Sequence, residues 1–417
     1  MRPLRPWHIV LFIWITLGIL FSLGKIEELG KLDNLGTLVH LGSLESLDRL
    51  ESPASLDTLD AFVLITSAEP LEQAQEASLN RFFMALKTAS TDPVRVVHFG
   101  DSQIEQDRIS MTLRRHWQSR YGGSGLGLVP VMQTITTYTL NQTLTMNAKP
   151  VLGTGGPQRY FVYGPRSLRR EDNNRYGIMG QVTVMNDSLV KGSEHLTLTF
   201  KPRKQWDDQY TRIRLWADST VQMETTDLHS VVLRGKGDVY GLSLESETGV
   251  YVDNIPMRGS AGTMFVNSNK DLLCTYFKET NTRLIILQFG GNALPNIQDY
   301  SAVTATVNAL KNQVLFLQDC APQADILFVG PSDMLVNDRG QMRSDPMVPY
   351  MDMQLEKMAM RTGILYFSTY QAMGSENAML RWQEQGLAGD DGIHFTKRGA
   401  DLIAEKLIDF INSQLTN

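Results

Sequence analysis

The chain has 417 residues, enough for two ordinary domains with accessory segments. Hydrophobic residues make up 42% and charged residues 20%, so most of the chain can bury a core. A net charge of −6 without a basic run beyond the N-terminus excludes nucleic acid as the expected partner, and seven histidines and two cysteines without a CxxC do not form a zinc framework.

At the start, Arg2 and Arg5 precede an uncharged stretch from Trp7 to Gly24, roughly 18 residues against the ~20 that span a bilayer. Positive charge on the N-terminal side keeps that end in the cytoplasm and sends the rest outside. Small residues at Ser22 and Gly24 fit a signal-peptidase site, whereas Trp7, Trp14 and the length of the run fit an uncleaved anchor. Residues 1–25 therefore read as a signal anchor or signal peptide of an exported protein, periplasmic or in the cell envelope. Residues 26–70 carry leucines at every third position from Leu29 to Leu50, with Leu-Gly pairs between them. That period drifts around a helix and forms no stripe, so the segment reads as a repetitive spacer.

Glu72 to Ala89 has the pattern of an amphipathic helix, ended by Pro93. Arg95–Phe99 is a short buried strand leading into Gly100-Asp101-Ser102, and a helix is expected from about Gln106 to Arg120. From about Thr134 the texture alternates with period two, as in LTLTF at 196–200, TRIRLW at 211–216 and VYGLSLES at 239–246. This predicts an all-β segment over 134–250, a sandwich. Strands at Leu284–Phe289, Ile326–Val329 and Ile364–Phe367 then alternate with helices at 301–318 and 350–362, and a last helix starts near Lys397. The rhythm implies a parallel sheet covered on both faces, built from 71–133 and 251–417 and interrupted by the β insertion. Cys274 and Cys320 fit a disulfide in an oxidising compartment and two buried thiols equally well.

Reactive groups of open α/β sheets gather at the carboxyl ends of strands. Three pieces sit there: Gly-Asp-Ser at 100–102, Gly-Gly-Asn at 290–292, and Asp391-Gly-Ile-His394. They make an acyl-transfer set. A serine hydroxyl needs a base to take its proton, and histidine titrates near the working pH. An acid on the other ring nitrogen sets the tautomer, and an asparagine amide with backbone N–H groups can stabilise an oxyanion. Each motif alone is weak, since Gly-Asp-Ser is ordinary turn chemistry and Thr396 could simply cap the last helix. Their order and their placement after strands carry the reading.

In that order, GDS, GGN and DxxH resemble the SGNH (GDSL-type) hydrolase superfamily over roughly 90–130 and 250–415. The resemblance implies a three-layer α/β/α flavodoxin-like fold and ester hydrolysis through an acyl-serine intermediate. It implies Ser102 as nucleophile, His394 as base and Asp391 as its orienting acid. Oxyanion donors would be Ser102 N–H, the Asn292 amide and, by the MRGSAG segment, Gly262, with Gly259 as the fallback. The chain departs from the pattern at Ala293, where many members carry Asp. HFGDSQ, GSGLGLVP, VGPSDM and DDGIHFTKRG are similar to exported bacterial peptidoglycan O-acetylesterases, which also carry an inserted carbohydrate-module-like β domain. That similarity implies an O-acetylated polysaccharide or peptidoglycan as partner and a tether through the N-terminal segment. No metal or cofactor is implied.

Other residues read as structural. His98 is expected in the core, His116, His195 and His229 as surface or core, Asp101 as a brace of the nucleophile turn, and Gln103 in the pocket lining. Asp390 is the alternative orienting acid. Trp206, Tyr210 and Trp216 alternate with polar residues in the insertion, where an exposed aromatic would stack on a sugar ring. Two rivals stay open: a glycan O-acetyltransferase on the same fold, and a non-catalytic wall-binding protein. No large apolar lid favours a lipase.

Overall fold

The structure, a computed structural model, describes residues 77–131, 133, 135–146, 182–184, 195–203, 210–217, 219–235 and 237–415. The segments read as anchor and spacer, the first residues of the helix expected from Glu72, and Trp206 lie outside the described residues. All described residues belong to one compact unit, Gln73–Asn417.

The unit opens with α1 (Asn80–Leu86), β1 (Val94–Gly100), a 3-10 turn over Ser102–Asp107 and α2 (Ser110–Tyr121). Eight strands follow: β2 (Gly127–Val129), β3 (Leu140–Met146), β4 (Val182–Val184), β5 (His195–Pro202), β6 (Arg212–Ala217), β7 (Val221–Asp227), β8 (Ser230–Gly235) and β9 (Gly237–Glu245). Next come β10 (Val250–Pro256), α3 (Lys270–Glu279), β11 (Thr282–Gln288), α4 (Tyr300–Cys320) and β12 (Asp325–Val329). A hairpin of β13 (Leu335–Asp338) and β14 (Gln341–Ser344) precedes α5 (Val348–Thr362) and β15 (Leu365–Phe367). The chain closes with α6 (Thr369–Met373), α7 (Ala378–Glu384) and α8 (Lys397–Ser413).

β10, β1, β11, β12 and β15 lie side by side in that order, all parallel, the flavodoxin-like arrangement. Alternate residues of β1 feed two cores. Val97 and Phe99 pack with Phe277, Leu310 and Leu355 under α3, α4 and α5, while Val94 and Val96 pack with Phe82, Leu113 and Ile403 under α1, α2 and α8. This is the expected three-layer α/β/α body. Side chains cap its helices where the sequence offers them: Asp299 accepts from Ala302 N at 2.9 Å and Thr396 from Gly399 N at 3.2 Å. Cys274 of α3 and Cys320 of α4 form a disulfide, which closes the alternative of two thiols. No helix among the described residues is long and apolar enough to cross a membrane.

The insertion is two antiparallel sheets, β2–β9–β4 with β6 on β9, and β3–β5–β8–β7. Leu242, Leu244 and Ile213 of the first face Leu198, Phe200, Val231 and Leu233 of the second. The body therefore carries an inserted β-sandwich. Its limits differ from the expected 134–250. Antiparallel pairing begins at Gly127, opposite Leu244, and Val250 already belongs to the parallel sheet, opposite Val94. The two ends meet: Val250 N donates to Gly122 O at 2.9 Å and Ser246 N to Ser124 O at 3.1 Å. Gly123, at φ +103°, lets them approach, since a Cβ there would lie 2.6 Å from Val250 N.

A buried charge cluster joins sandwich to body. Arg95 of β1 reaches Asp253 of β10 and Glu245 of β9, and Tyr276 OH donates to Asp253 at 2.5 Å. Burial works against the Arg95 charge, but Asp253, Tyr276 and Glu245 outweigh it and raise its pKa. Arg212 caps Glu245 from the outer side at 2.8 Å.

The first helix of the body is shorter than expected, starting at Asn80. α2 starts at Ser110 and not near Gln106, because Gln106 and Asp107 hold left-handed conformations at φ 63° and 64°.

Candidate active site

β1 delivers Asp101 and Ser102 to the carboxyl end of the sheet. Asp101 Oδ1 accepts from Gln103 N at 2.9 Å, bracing the turn, and burial pushes its carboxyl up to about 6. Ser102 Oγ lies 2.7 Å from His394 Nε2. On the other side of the ring, Nδ1 lies 2.7 Å from Asp391 Oδ2.

The loop holding the last two residues is locally determined. Asp391 Oδ1 accepts from both Ile393 N and His394 N at 2.9 Å, so the DxxH spacing folds the carboxylate back to its own histidine. Burial favours the neutral acid, yet the bonds from His394 and Ile393 win and lower the Asp391 pKa. Gly392 makes the turn possible: φ is +68°, and a Cβ would sit 2.9 Å from Leu335 Cβ. Leu335 N donates to Gly392 O at 2.9 Å, so the β13–β14 hairpin buttresses this loop. Asp390 is exposed, and the carboxylate on the ring is that of Asp391.

Asn292 stands in a 3-10 turn, Gly291–Asn296, after β11. Its Nδ2 donates to Ser260 O at 3.2 Å, and Gly262 N donates to Ser260 Oγ at 3.0 Å. One serine, Ser260, thus holds two of the three expected oxyanion donors. Gly262 has φ +82°, and a Cβ there would press into the Phe289 ring at 2.6 Å. Ser102 and Asn292 line one cleft, about 520 Å³ of open space, with Gln288, Pro295, Ser332 and Ile393; Gly262 is outside its lining. Gly259 also has positive φ, 71°, on the same loop.

The remaining expectations resolve simply. His98 is fully buried between Ser110 Oγ at 2.9 Å and Gln288 Oε1 at 3.1 Å, and burial pushes its imidazole down to about 3. It is a neutral core histidine. His116 packs edge-on against Trp117 and His229 sits exposed in a turn; His195 lies on β5. Tyr210 is buried, and Trp216 packs against Tyr276 with the Arg214 guanidinium over its ring at 4.8 Å. Tyr210 offers no free face for a sugar, and Trp216 is half-buried with Arg214 over its ring. Among the described residues no group of three or more His, Cys, Asp or Glu is placed to hold a metal ion.

Sequence reasoning did not find several ties around the site. Gln103 and Arg108 bond the histidine loop, and Glu105 pairs with Arg258 of the glycine loop at 2.6 Å. A largely polar run, Gln-Ile-Glu-Gln-Asp-Arg, directly after Ser102 was the available signal.

A half-buried hydroxyl, an imidazole and a carboxylate in one hydrogen-bonded line, beside an amide donor, can activate an oxygen nucleophile and stabilise an oxyanion. No family model and no curated protein matches the sequence. Solved structures do. The chain has the α/β/α fold of the SGNH (GDSL-type) hydrolases with an inserted β domain. The structure of a peptidoglycan O-acetylesterase is similar over 83% of this chain and 98% of that one, at 18% identity and a TM-score of 0.63. An acetyl xylan esterase from Geobacillus stearothermophilus matches 41% of this chain and 77% of its own, at 18% identity and a TM-score of 0.28. The periplasmic domain of a Salmonella ser. Paratyphi A lipopolysaccharide acetyltransferase matches 40% and 74%, at 15% identity and a TM-score of 0.29.

Proposed function

We propose that the protein is an exported serine esterase that removes O-acetyl groups from a cell-wall glycan, peptidoglycan first among the substrates. The observation that carries this reading is the unbroken line Ser102 Oγ–His394 Nε2, His394 Nδ1–Asp391 Oδ2, with both contacts at 2.7 Å. In the proposed reaction His394 takes the Ser102 proton as Oγ attacks the acetyl carbonyl. The developing oxyanion is held by Ser102 N–H, the second amide proton of Asn292 and Gly262 N–H, the last of which must first leave Ser260 Oγ. The imidazolium then gives its proton to the departing sugar oxygen, and water repeats the steps in reverse on the acyl-serine. Asp391 keeps the ring in the tautomer that presents Nε2 as acceptor.

Export rests on the arginine-flanked apolar segment at 1–25, and the Cys274–Cys320 disulfide supports an oxidising compartment such as the periplasm. The glycan step rests on the likeness to the peptidoglycan O-acetylesterase structure, which covers 83% of this chain and 98% of that one. Acetate release from O-acetylated peptidoglycan and from other acetylated polysaccharides tests it, with and without a sugar acceptor. Faster release from peptidoglycan into water supports the proposal. Acetyl transfer to the acceptor without free acetate would make the protein a transferase, and no turnover of any acetyl ester would leave a binding protein.

A further inference from the structure

Ser102 and Gln103 are consecutive on one short turn, and their side chains go to the same distant loop. Ser102 meets the His394 ring, while Gln103 takes hold of the backbone on either side of it. Gln103 Nε2 donates to Ile393 O at 2.6 Å, and Gln103 Oε1 accepts from Phe395 N at 3.4 Å. The second amide proton goes to Ser332 Oγ at 3.3 Å. A carbonyl on one side and an N–H on the other leave the amide a single satisfactory orientation. Arg108, at the end of the same turn, adds a bond from Nη1 to Phe395 O at 2.9 Å.

The turn itself is rigidly held. Asp101 caps it, and Asp107 is gripped by Arg114 at 2.6 and 3.2 Å. The other support of the imidazole is wetter: the Asp391 side chain is 50% exposed, whereas Gln103 is only 8% exposed. A hydrogen bond shielded from water holds geometry better than one that water competes for.

We propose that Gln103 is a positioning residue that sets the Ser102–His394 contact by clamping residues 393 and 395. This rests on the proposed roles of Ser102 and His394. The nucleophile and the backbone that carries its base are thereby one mechanical piece, although they are 292 residues apart in the chain.

Gln103→Met keeps the length of the side chain and removes all three bonds. With a chromogenic acetyl ester, kcat is expected to fall about 10–100-fold, as for a sub-ångström misplacement of reacting atoms, with KM close to wild type and Tm lowered because Ile393 O and Phe395 N lose their partner. The acid limb of its kcat/KM profile stays in place, because no charge has changed. Gln103→Glu keeps the acceptor for Phe395 N but turns a carboxylate toward Ile393 O. It should lose kcat similarly and move the acid limb to higher pH, since a negative charge beside the loop favours imidazolium. Wild-type kcat in Gln103→Met, or a loss confined to KM, overturns the proposal. So does an unmoved acid limb in Gln103→Glu, which remains decisive if the Met variant does not fold. Ser102→Ala is measured in parallel: if it stays active the esterase reading itself has failed, whereas an inactive Ser102→Ala beside a fully active Gln103→Met defeats the clamp alone.

Discussion

The α/β body and the inserted sandwich use their polar residues in opposite ways. In the body, polar side chains collect at one end of the parallel sheet, where Ser102 and Asn292 line one cleft and the Asp391–His394 pair meets Ser102. In the sandwich, Phe200, Tyr210 and Tyr240 turn inward, and the buried carboxylate of Glu245 reaches out of the sandwich to Arg95 in β1 of the body. None of the proposed catalytic groups comes from the sandwich. Yet the sandwich is not a freely swinging module, because Arg95 cannot be satisfied without it. Chemistry and integrity are thus divided: the loops of the body carry the proposed reaction, and the insertion completes the body's charge balance.

The largest effect is expected at the proposed nucleophile. Ser102→Ala should lower ester hydrolysis by about 10³–10⁶-fold with an unchanged thermal transition, the residue coming from the oxyanion donors alone. A variant retaining a tenth of wild-type turnover would require another nucleophile. Asn292→Ala should cost about 10²–10³-fold in kcat with little change in KM, as for a donor used in the transition state. A loss in KM only would assign Asn292 to substrate binding.

On the sandwich side the expected effect is on stability. Glu245→Ala leaves Arg95 short of a partner in a dry site and should cost about 3–5 kcal/mol in urea unfolding, while the protein that remains folded turns over a small ester normally. Reduced turnover in fully folded Glu245→Ala would show that the insertion helps build the site.

The smallest effects are in pH. Burial lowers the His98 pKa from 6.5 to about 3, so its stabilising contribution is full above about 6.5 and is lost as pH falls toward 3. Burial raises the Asp101 pKa from 3.8 to about 6, so its contribution is full below about 3.8 and is lost as pH rises through 6. Between about pH 4 and 6 the two slopes oppose each other. His98→Gln should leave a Tm that falls as pH rises there, and Asp101→Asn one that rises more steeply than wild type. Calorimetry across that window checks both, and equal slopes in the two variants would remove these residues from the pH response.

Legibility in the sequence followed the range of the interaction. Asp391 and His394 were readable because the carboxylate folds onto N–H groups two and three residues ahead of it, a purely local event. Strands such as Arg95–Phe99 were readable because burial on both faces leaves an apolar run. The edges of the insertion were not. β2 has only three residues, and Val250–Pro256 carries nothing that says its partner is parallel β1 and not a neighbour in the sandwich. Gln103 shows the same limit: the amide is visible in the sequence, but its partners Ile393 and Phe395 are chosen by the completed fold.

The meeting of the two ends of the insertion bears on the order in which the chain folds. β1 must find β10 across about 150 residues, and closing a loop that long costs about 4 kcal/mol of chain entropy in its length-dependent part. Once the sandwich has formed, Gly122 and Val250 already lie in hydrogen-bond contact, and the central sheet has almost no loop left to close. The insertion would then act as a folding nucleus for the body that encloses it. Leu242→Ala, which weakens the sandwich core, should therefore slow refolding of the whole unit; a change confined to the unfolding rate would show that the body folds without waiting for it.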